Sequence, residues 1–304
     1  MRKFVRTVLQ VFIGLGLLFI GYELVVWMHP PALAWAISAI GRNPYCGAAE
    51  GYRGLGSQAK QRATIQEIAA RTRLLEKDGK LSRYQTPRGE FWIPEGSDAV
   101  LPKLLAQQKE KIYGEIRPGE VVIDCGAHVG TYTREALAAG ARLVLAVEPA
   151  PDNVECMRRA FRREIDSGRL LVVSKGVWNK EESLPLYANP QNSAADSFVI
   201  RSSEDLIVDR IPLTTIDRIV AEYKIEKVTL IKMDIKGATV RALEGGRRTI
   251  ARDHPRIAIS TEEEADAPGQ VIAAVRRLGS YQQRCGICSI NGLYSLNPDV
   301  LLFW

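Results

Sequence analysis

The chain has 304 residues, 46% hydrophobic and 25% charged, with 25 Gly and 15 Pro; these proportions suit a folded globular protein and exclude a collagen-like repeat, a coiled coil or wholesale disorder. A net charge of +6, from 41 basic and 35 acidic residues, favours solubility and anionic surfaces without marking a nucleic-acid binder, so no nucleic-acid partner is expected. Five cysteines, at 46, 125, 156, 285 and 288, are too scattered for a disulfide scaffold, and three histidines are too few for a His-rich metal centre.

Residues 1–28 differ from the rest. Arg2, Lys3 and Arg6 precede an apolar stretch from Val8 to Met28 that is interrupted only by Gln10 and Glu23. As a helix it would reach about 30 Å, enough to cross a hydrocarbon core, with Tyr22, Trp27 and Trp35 as interfacial aromatics. The expectation is a single-pass membrane anchor. A cleavable signal peptide ending near Ala32-Leu33-Ala34 and a buried core helix are the alternatives. The positive-inside rule would leave the following domain outside the cytoplasm.

Residues 29–56, with Pro30, Pro31 and a scatter of glycines, read as a linker containing one short helix over 32–40. Residues 57–118 read as an extension. It holds a helix from Ser57 to Lys77, two strands (Leu81–Tyr84 and Glu90–Ile93) flanking Thr86-Pro87-Arg88-Gly89, and a helix from Ser97 or Asp98 to about Tyr113. From 119 to 304, short apolar runs at 121–123, 143–147, 170–173, 228–233 and 256–259 alternate with helical stretches, and strand candidates at 281–285 and 294–304 close the chain. Near-continuous apolar strands separated by helices predict a mostly parallel, doubly wound α/β sheet.

Ligands of such sheets bind at the carboxyl ends of the strands. The first strand runs into Asp124-Cys125-Gly126-Ala127-His128-Val129-Gly130. A dinucleotide loop needs a glycine where His128 stands, because a side chain there crowds the pyrophosphate. Asp124 would repel phosphate but hold an ammonium group, and Glu148-Pro149 after the second strand places a carboxylate for ribose hydroxyls. An amino-acid-bearing nucleoside, S-adenosylmethionine, satisfies both. The expected cofactor contacts are Asp124, Gly126, Ala127, His128, Gly130, Glu148 and Pro149.

The runs I-D-C-G-A-H-V-G-T-Y-T and A-V-E-P-A-P-D-N, then T-T-I-D-R-I (214–219), L-I-K-M-D-I-K-G-A-T-V-R-A-L-E-G-G (230–246) and H-P-R-I-A-I-S-T-E (254–262), resemble the ordered motifs of the FkbM family of methyltransferases. The resemblance implies a Rossmann-like class I methyltransferase fold with an antiparallel edge strand. It also implies use of S-adenosylmethionine and O-methylation of a hydroxyl on a glycan, lipid-linked or small-molecule acceptor. The family's Asp-x-Glu-Gly-x-Glu motif keeps Asp234 and Gly237, but Lys236 and Thr239 replace its two glutamates. Asp234 is then the expected base or acceptor-orienting group, with Lys236 beside it, and no metal is expected. If the departures silence transfer, a membrane-tethered SAM-binding or interaction module is the alternative. Cys285-Gly286-Ile287-Cys288 reads as two small residues near a strand end, and Arg158, Arg159, Arg162 and Arg163 read as a solvated helix face.

Overall fold

In the computed structural model the described residues are 30–304, apart from 190, 201–202, 204–205, 263–266 and 291–294. The expected membrane segment, 1–28, lies outside them. Among the described residues no helix is long and apolar enough to cross a membrane.

The chain begins with helices α1 (Pro30–Ala39) and α2 (Ala48–Ala70), then an antiparallel sheet β1–β2–β3 (Arg73–Asp78, Leu81–Thr86, Gly89–Pro94) and helix α3 (Leu101–Lys109). The α/β domain follows as β4 (Val121–Cys125), α4 (Thr131–Ala138), β5 (Leu143–Val147), α5 (Pro151–Ala160), α6 (Arg162–Asp166) and β6 (Leu170–Val173). A small sheet comes next, from β7 (Gly176–Val177), β8 (Glu182–Ala188) and β9 (Leu206–Thr214). Helix α7 (Ile216–Glu222), β10 (Leu230–Met233), α8 (Thr239–Gly245), α9 (Arg247–Asp253), β11 (Arg256–Ser260) and α10 (Pro268–Leu278) continue the alternation. Strands β12 (Gln283–Cys285), β13 (Cys288–Ile290), β14 (Leu296–Pro298) and β15 (Val300–Phe303) end the chain.

Seven strands form the main sheet in the order β12-β15-β11-β10-β4-β5-β6. Strands β11, β10, β4, β5 and β6 pair in parallel. The one reversed strand, β15, is antiparallel to both neighbours. The expected antiparallel strand is therefore present but is not the edge, because the chain's late short strand β12 covers it. Side chains alternate across the sheet with period two. On β4, Val121, Ile123 and Cys125 enter one core, while Val122 enters the core on the other face.

Two expectations fail for physical reasons. Residues 29–56 are not a loose linker: Ala34, Ile37 and Cys46 are buried in the main core, and Cys46 is disulfide-bonded to Cys285. Two of the glycines that suggested a linker, Gly51 and Gly54, serve close packing instead. A Cβ at Gly54 would stand 2.8 Å from the Cys288 backbone nitrogen, so the helix can approach the β13–β14 hairpin only without one. The helix consequently starts at Ala48 and stops at Ala70, and Arg73–Asp78, expected as its last turns, form β1 against β2. Pro185 and Pro212 stand within β8 and β9 of the small sheet. Strand β7 pairs only with Leu213 and Thr214, so the N–H that Pro212 lacks is not needed there.

Removing residues 1–56 would therefore take Ile37 and Cys46 out of the core that the full chain keeps. The shorter chain should melt well below the longer one, and equal thermal midpoints would contradict this packing. The substitution Ile37→Ala alone should cost about 2–5 kcal/mol in urea unfolding.

Candidate active site

Strand order reverses beside β4: β5 and β6 lie on one side of it, β10 and β11 on the other. At that switch point the carboxyl ends of β4, β5 and β10 border a cleft of about 810 Å³, including its open mouth. It is lined by Gly126, Ala127, His128, Glu148 and Pro149 from the first two strand ends, by Lys232, Asp234 and Lys236 from the third, and by Tyr113 and Ser193 from outside the main sheet.

The glycine turn is held from three directions. The Gly126 and Ala127 amides donate to the Val147 carbonyl at 3.0 and 3.2 Å. The Lys232 ammonium donates to the Gly126 carbonyl at 2.9 Å. The His128 amide donates to Glu148 Oε2 at 2.8 Å. Gly126 has φ +74°, and a Cβ there would meet the Asp234 carbonyl oxygen at 2.2 Å. His128, a non-glycine residue at φ +53°, stores strain at the same turn. Its Nε2 is 2.7 Å from Ser193 Oγ, and among the described residues its buried Nδ1 has no hydrogen-bond partner. Burial, together with the nearby Lys232 ammonium, lowers this imidazole to about 3 and keeps it neutral.

Glu148 lines the cleft as expected of a ribose acceptor, and it has a second task. Its Oε1 accepts the Ala150 amide at 3.0 Å and the Asn153 side-chain amide at 3.1 Å, in addition to the His128 bond on Oε2. Burial raises its carboxyl above the ordinary value, against the pull of these three donors.

Asp124 is placed otherwise than expected. It is completely buried and does not line the cleft. Its Oδ1 is 3.0 Å from the Lys232 ammonium and its Oδ2 accepts the Thr133 hydroxyl at 2.8 Å. The carboxylate expected to hold an incoming ammonium holds one from the chain's own next strand. Gly130 starts α4 at φ +84° and is likewise not in the cleft lining.

Asp234 and Lys236 do come together, at 3.6 Å. The Tyr113 hydroxyl, buried, donates to Asp234 Oδ2 at 2.9 Å. Burial alone would raise Asp234, but Lys236, Lys232 and the Tyr113 bond outweigh it and hold the carboxyl down to about 2. A carboxylate that acidic is a poor proton acceptor near neutral pH. The family motif's second replaced position, Thr239, is fully buried at the start of α8.

Sequence reasoning missed Lys232 and Tyr113. Lysine inside an apolar strand is a signal, since an ammonium is almost never fully buried without a partner. Its partner follows from register: Lys232 lies directly across from Asp124 in the β10–β4 ladder. Tyr113 carries no such signal, because it reaches the site from the loop after α3. Replacing Lys232 by Met should leave the Asp124 carboxylate buried without its cation and cost about 3–5 kcal/mol in urea unfolding. A loss below 1 kcal/mol would mean that the pair is not buried as described.

The chain's residues 124–286, more than half of it, match the methyltransferase FkbM domain. No curated protein sequence matches it. Among solved structures it is similar to a methyltransferase FkbM from Methylobacillus flagellatus KT, at 18% identity and a TM-score of 0.46 over 82% of this chain and 60% of that one. It is also similar to Trm5b from Pyrococcus abyssi, at 14% identity and a TM-score of 0.39 over 76% and 54%. A third similar structure is a putative methyltransferase from Streptococcus mutans in complex with SAH, at 11% identity and a TM-score of 0.40 over 65% and 95%. The chain thus spans less than two thirds of the length of the first of these. The motifs on β4, β5 and β10, the sheet that carries them and the matched segment all agree: the chain belongs to the FkbM family of methyltransferases and has a methyltransferase-like α/β fold built on a large mixed sheet.

Proposed function

We propose that this chain is an S-adenosylmethionine-dependent methyltransferase that methylates an oxygen of a small-molecule, glycan or lipid-linked acceptor. The observation that carries the reading is the cleft at the β4–β5–β10 strand ends, where a glycine turn, an unpartnered His128 nitrogen and the Glu148 carboxylate share one wall. This wall fits an aminoacyl nucleoside and disfavours a dinucleotide, because His128 occupies the position that a pyrophosphate would need bare. Glu148 and the backbone of 126–128 would hold the cofactor's nucleoside. When bound, S-adenosylmethionine supplies a methyl group activated by its sulfonium. Asp234, fixed by Tyr113 and Lys236, accepts a hydrogen bond from the acceptor's hydroxyl and aligns its oxygen. The rate then comes mainly from positioning.

The Lys236–Asp234 pair also favours a second reading, a cofactor-binding module without transfer, because it makes Asp234 a poor base. Calorimetry and a labelled-methyl assay separate the two. The chain should bind S-adenosylmethionine and not NAD, and Glu148→Gln should weaken binding about 10- to 150-fold, as expected for one or more lost hydrogen bonds to a charged group. Absence of binding would remove both readings; binding without transfer to any hydroxyl-bearing extract would leave the second.

Because Asp234 stays ionised through the whole neutral range, kcat/KM should show no acid limb between pH 5 and 8. An apparent pKa in that range that vanishes in Asp234→Asn would restore the base role. We also propose that residues 1–28 attach the protein to a membrane. The apolar run supports this, as does the exposure of Trp35 and Ile40, on and just beyond α1 and close behind that run in the chain. Membrane fractionation of the full chain and of the chain lacking 1–28 tests it: both in the soluble fraction would refute the proposal.

A further inference from the structure

Cys46, Cys285 and Cys288 converge from opposite ends of the sequence. Cys46 lies between α1 and α2, Cys285 ends β12 and Cys288 begins β13. All three are buried, and their sulfurs lie within 4.8 Å of one another. Cys46 and Cys285 are bonded as a disulfide, and the Cys288 sulfur is 3.5 Å from that of Cys46. Bare glycine at position 54 is what lets Cys288 reach this point. A neighbouring cleft, lined by Glu50, Glu110, Arg53, Lys111 and Arg284 together with Cys285, borders this corner.

We propose that in its reduced form this cluster is a binding site for a soft divalent metal ion such as Zn²⁺, with the three cysteine sulfurs as ligands. A pair joined by Gly286 and Ile287, plus a third sulfur brought in by the fold, provides the thiolate set that zinc selects. The disulfide is the oxidised, metal-free form of the same site. Two electrons and two protons from a dithiol break the Cys46–Cys285 bond, leaving two thiols and the dithiol's cyclic disulfide. Zn²⁺ then replaces the protons of Cys46, Cys285 and Cys288, three Zn–S bonds form, and the protons pass to solvent. In either form α1 and α2 stay tied to the β12–β13 corner, by a disulfide under oxidising conditions and by the metal under reducing ones.

The test uses the full chain, purified in detergent, with zinc content measured after equilibration in a zinc buffer. Kept reduced with a dithiol, the chain should hold one zinc ion; oxidised before exposure, it should hold none. Cys288→Ser and Cys46→Ser should each lower reduced-state zinc at least tenfold, whereas Cys156→Ala, a buried cysteine elsewhere, should not. Substituted Co²⁺ should give the intense near-ultraviolet absorption of thiolate ligation in the reduced wild type only. This comparison needs no variant and stands if the serine variants fail to fold. The proposal is overturned if the reduced wild type takes up no more zinc than the oxidised form, or if folded Cys288→Ser retains the ion. It is equally overturned if reduction only reshuffles the bond to Cys285–Cys288 without metal uptake.

Discussion

One buried ion pair organises the centre of this molecule. Asp124 and Lys232 face each other across the β4–β10 ladder, on the face of the sheet whose core holds Val122, Val144, Ala146, Leu230 and Ala258. Neither could be there alone, since each charge would lose far more hydration than the interior returns. Together they satisfy one another, and the ammonium has capacity left over. It donates to the Gly126 carbonyl and stands 5.4 and 5.7 Å from the ring centres of Tyr113 and Tyr132. The pair therefore links strand register to the shape of the glycine turn. A one-residue slip of β10 against β4 would separate the charges and turn Lys232 toward the opposite core. Register, turn and cleft wall are one constraint.

The segment before the α/β domain is attached by arginines as well as by an apolar seam, in which Phe91, Ile93 and Leu105 share a buried cluster with Val129 and Cys156. The Arg134 guanidinium lies 4.4 Å from the ring centre of Phe91 and 4.7 Å from that of Phe161, and donates to the Glu90 carbonyl. Arg159 stacks on Trp92 at 4.8 Å and pairs with Asp78 and Glu155. Guanidinium groups suit this task because they keep their charge, stack on rings and offer several donors in one plane. Arg159 was read from sequence as part of a solvated basic face; in the fold it is half of a docking contact. That docking places α3, and Tyr113 beyond it, over the strand ends.

What was legible in the sequence was what short-range pattern encodes. The parallel strands announce themselves because strands buried on both faces must be apolar throughout, and the glycine turn and Glu148 follow from what a strand end can present to a ligand. What was illegible depended on contacts between distant residues. Gly51 and Gly54 look like linker until the β13–β14 hairpin is seen against them, and Cys46 looks solitary until Cys285 and Cys288 arrive from 239 and more residues away. At the site, Asp124 was assigned the right property, affinity for an ammonium, and the wrong partner, because register was not available.

The replaced motif on β10 now has a physical meaning that composition alone did not give. An acid at position 236 would sit beside Asp234 and raise its affinity for a proton, because two carboxylates at that distance resist being ionised together. Lysine does the reverse: together with Lys232 and the Tyr113 bond it holds the Asp234 carboxyl down to about 2. The site thereby exchanges a group able to take a proton for a fixed, fully charged hydrogen-bond acceptor. Such a group cannot generate an alkoxide, but it can hold a donor hydroxyl in one orientation, with Tyr113 preventing the carboxylate from turning. Methyl transfer from a sulfonium tolerates that exchange better than acyl or phosphoryl hydrolysis would, since its electrophile is already activated and alignment is most of what remains to be supplied. On the function proposed above, the departure from the family's acids would favour acceptor oxygens that are nucleophilic before they are deprotonated, and it does not require that the cleft be inert.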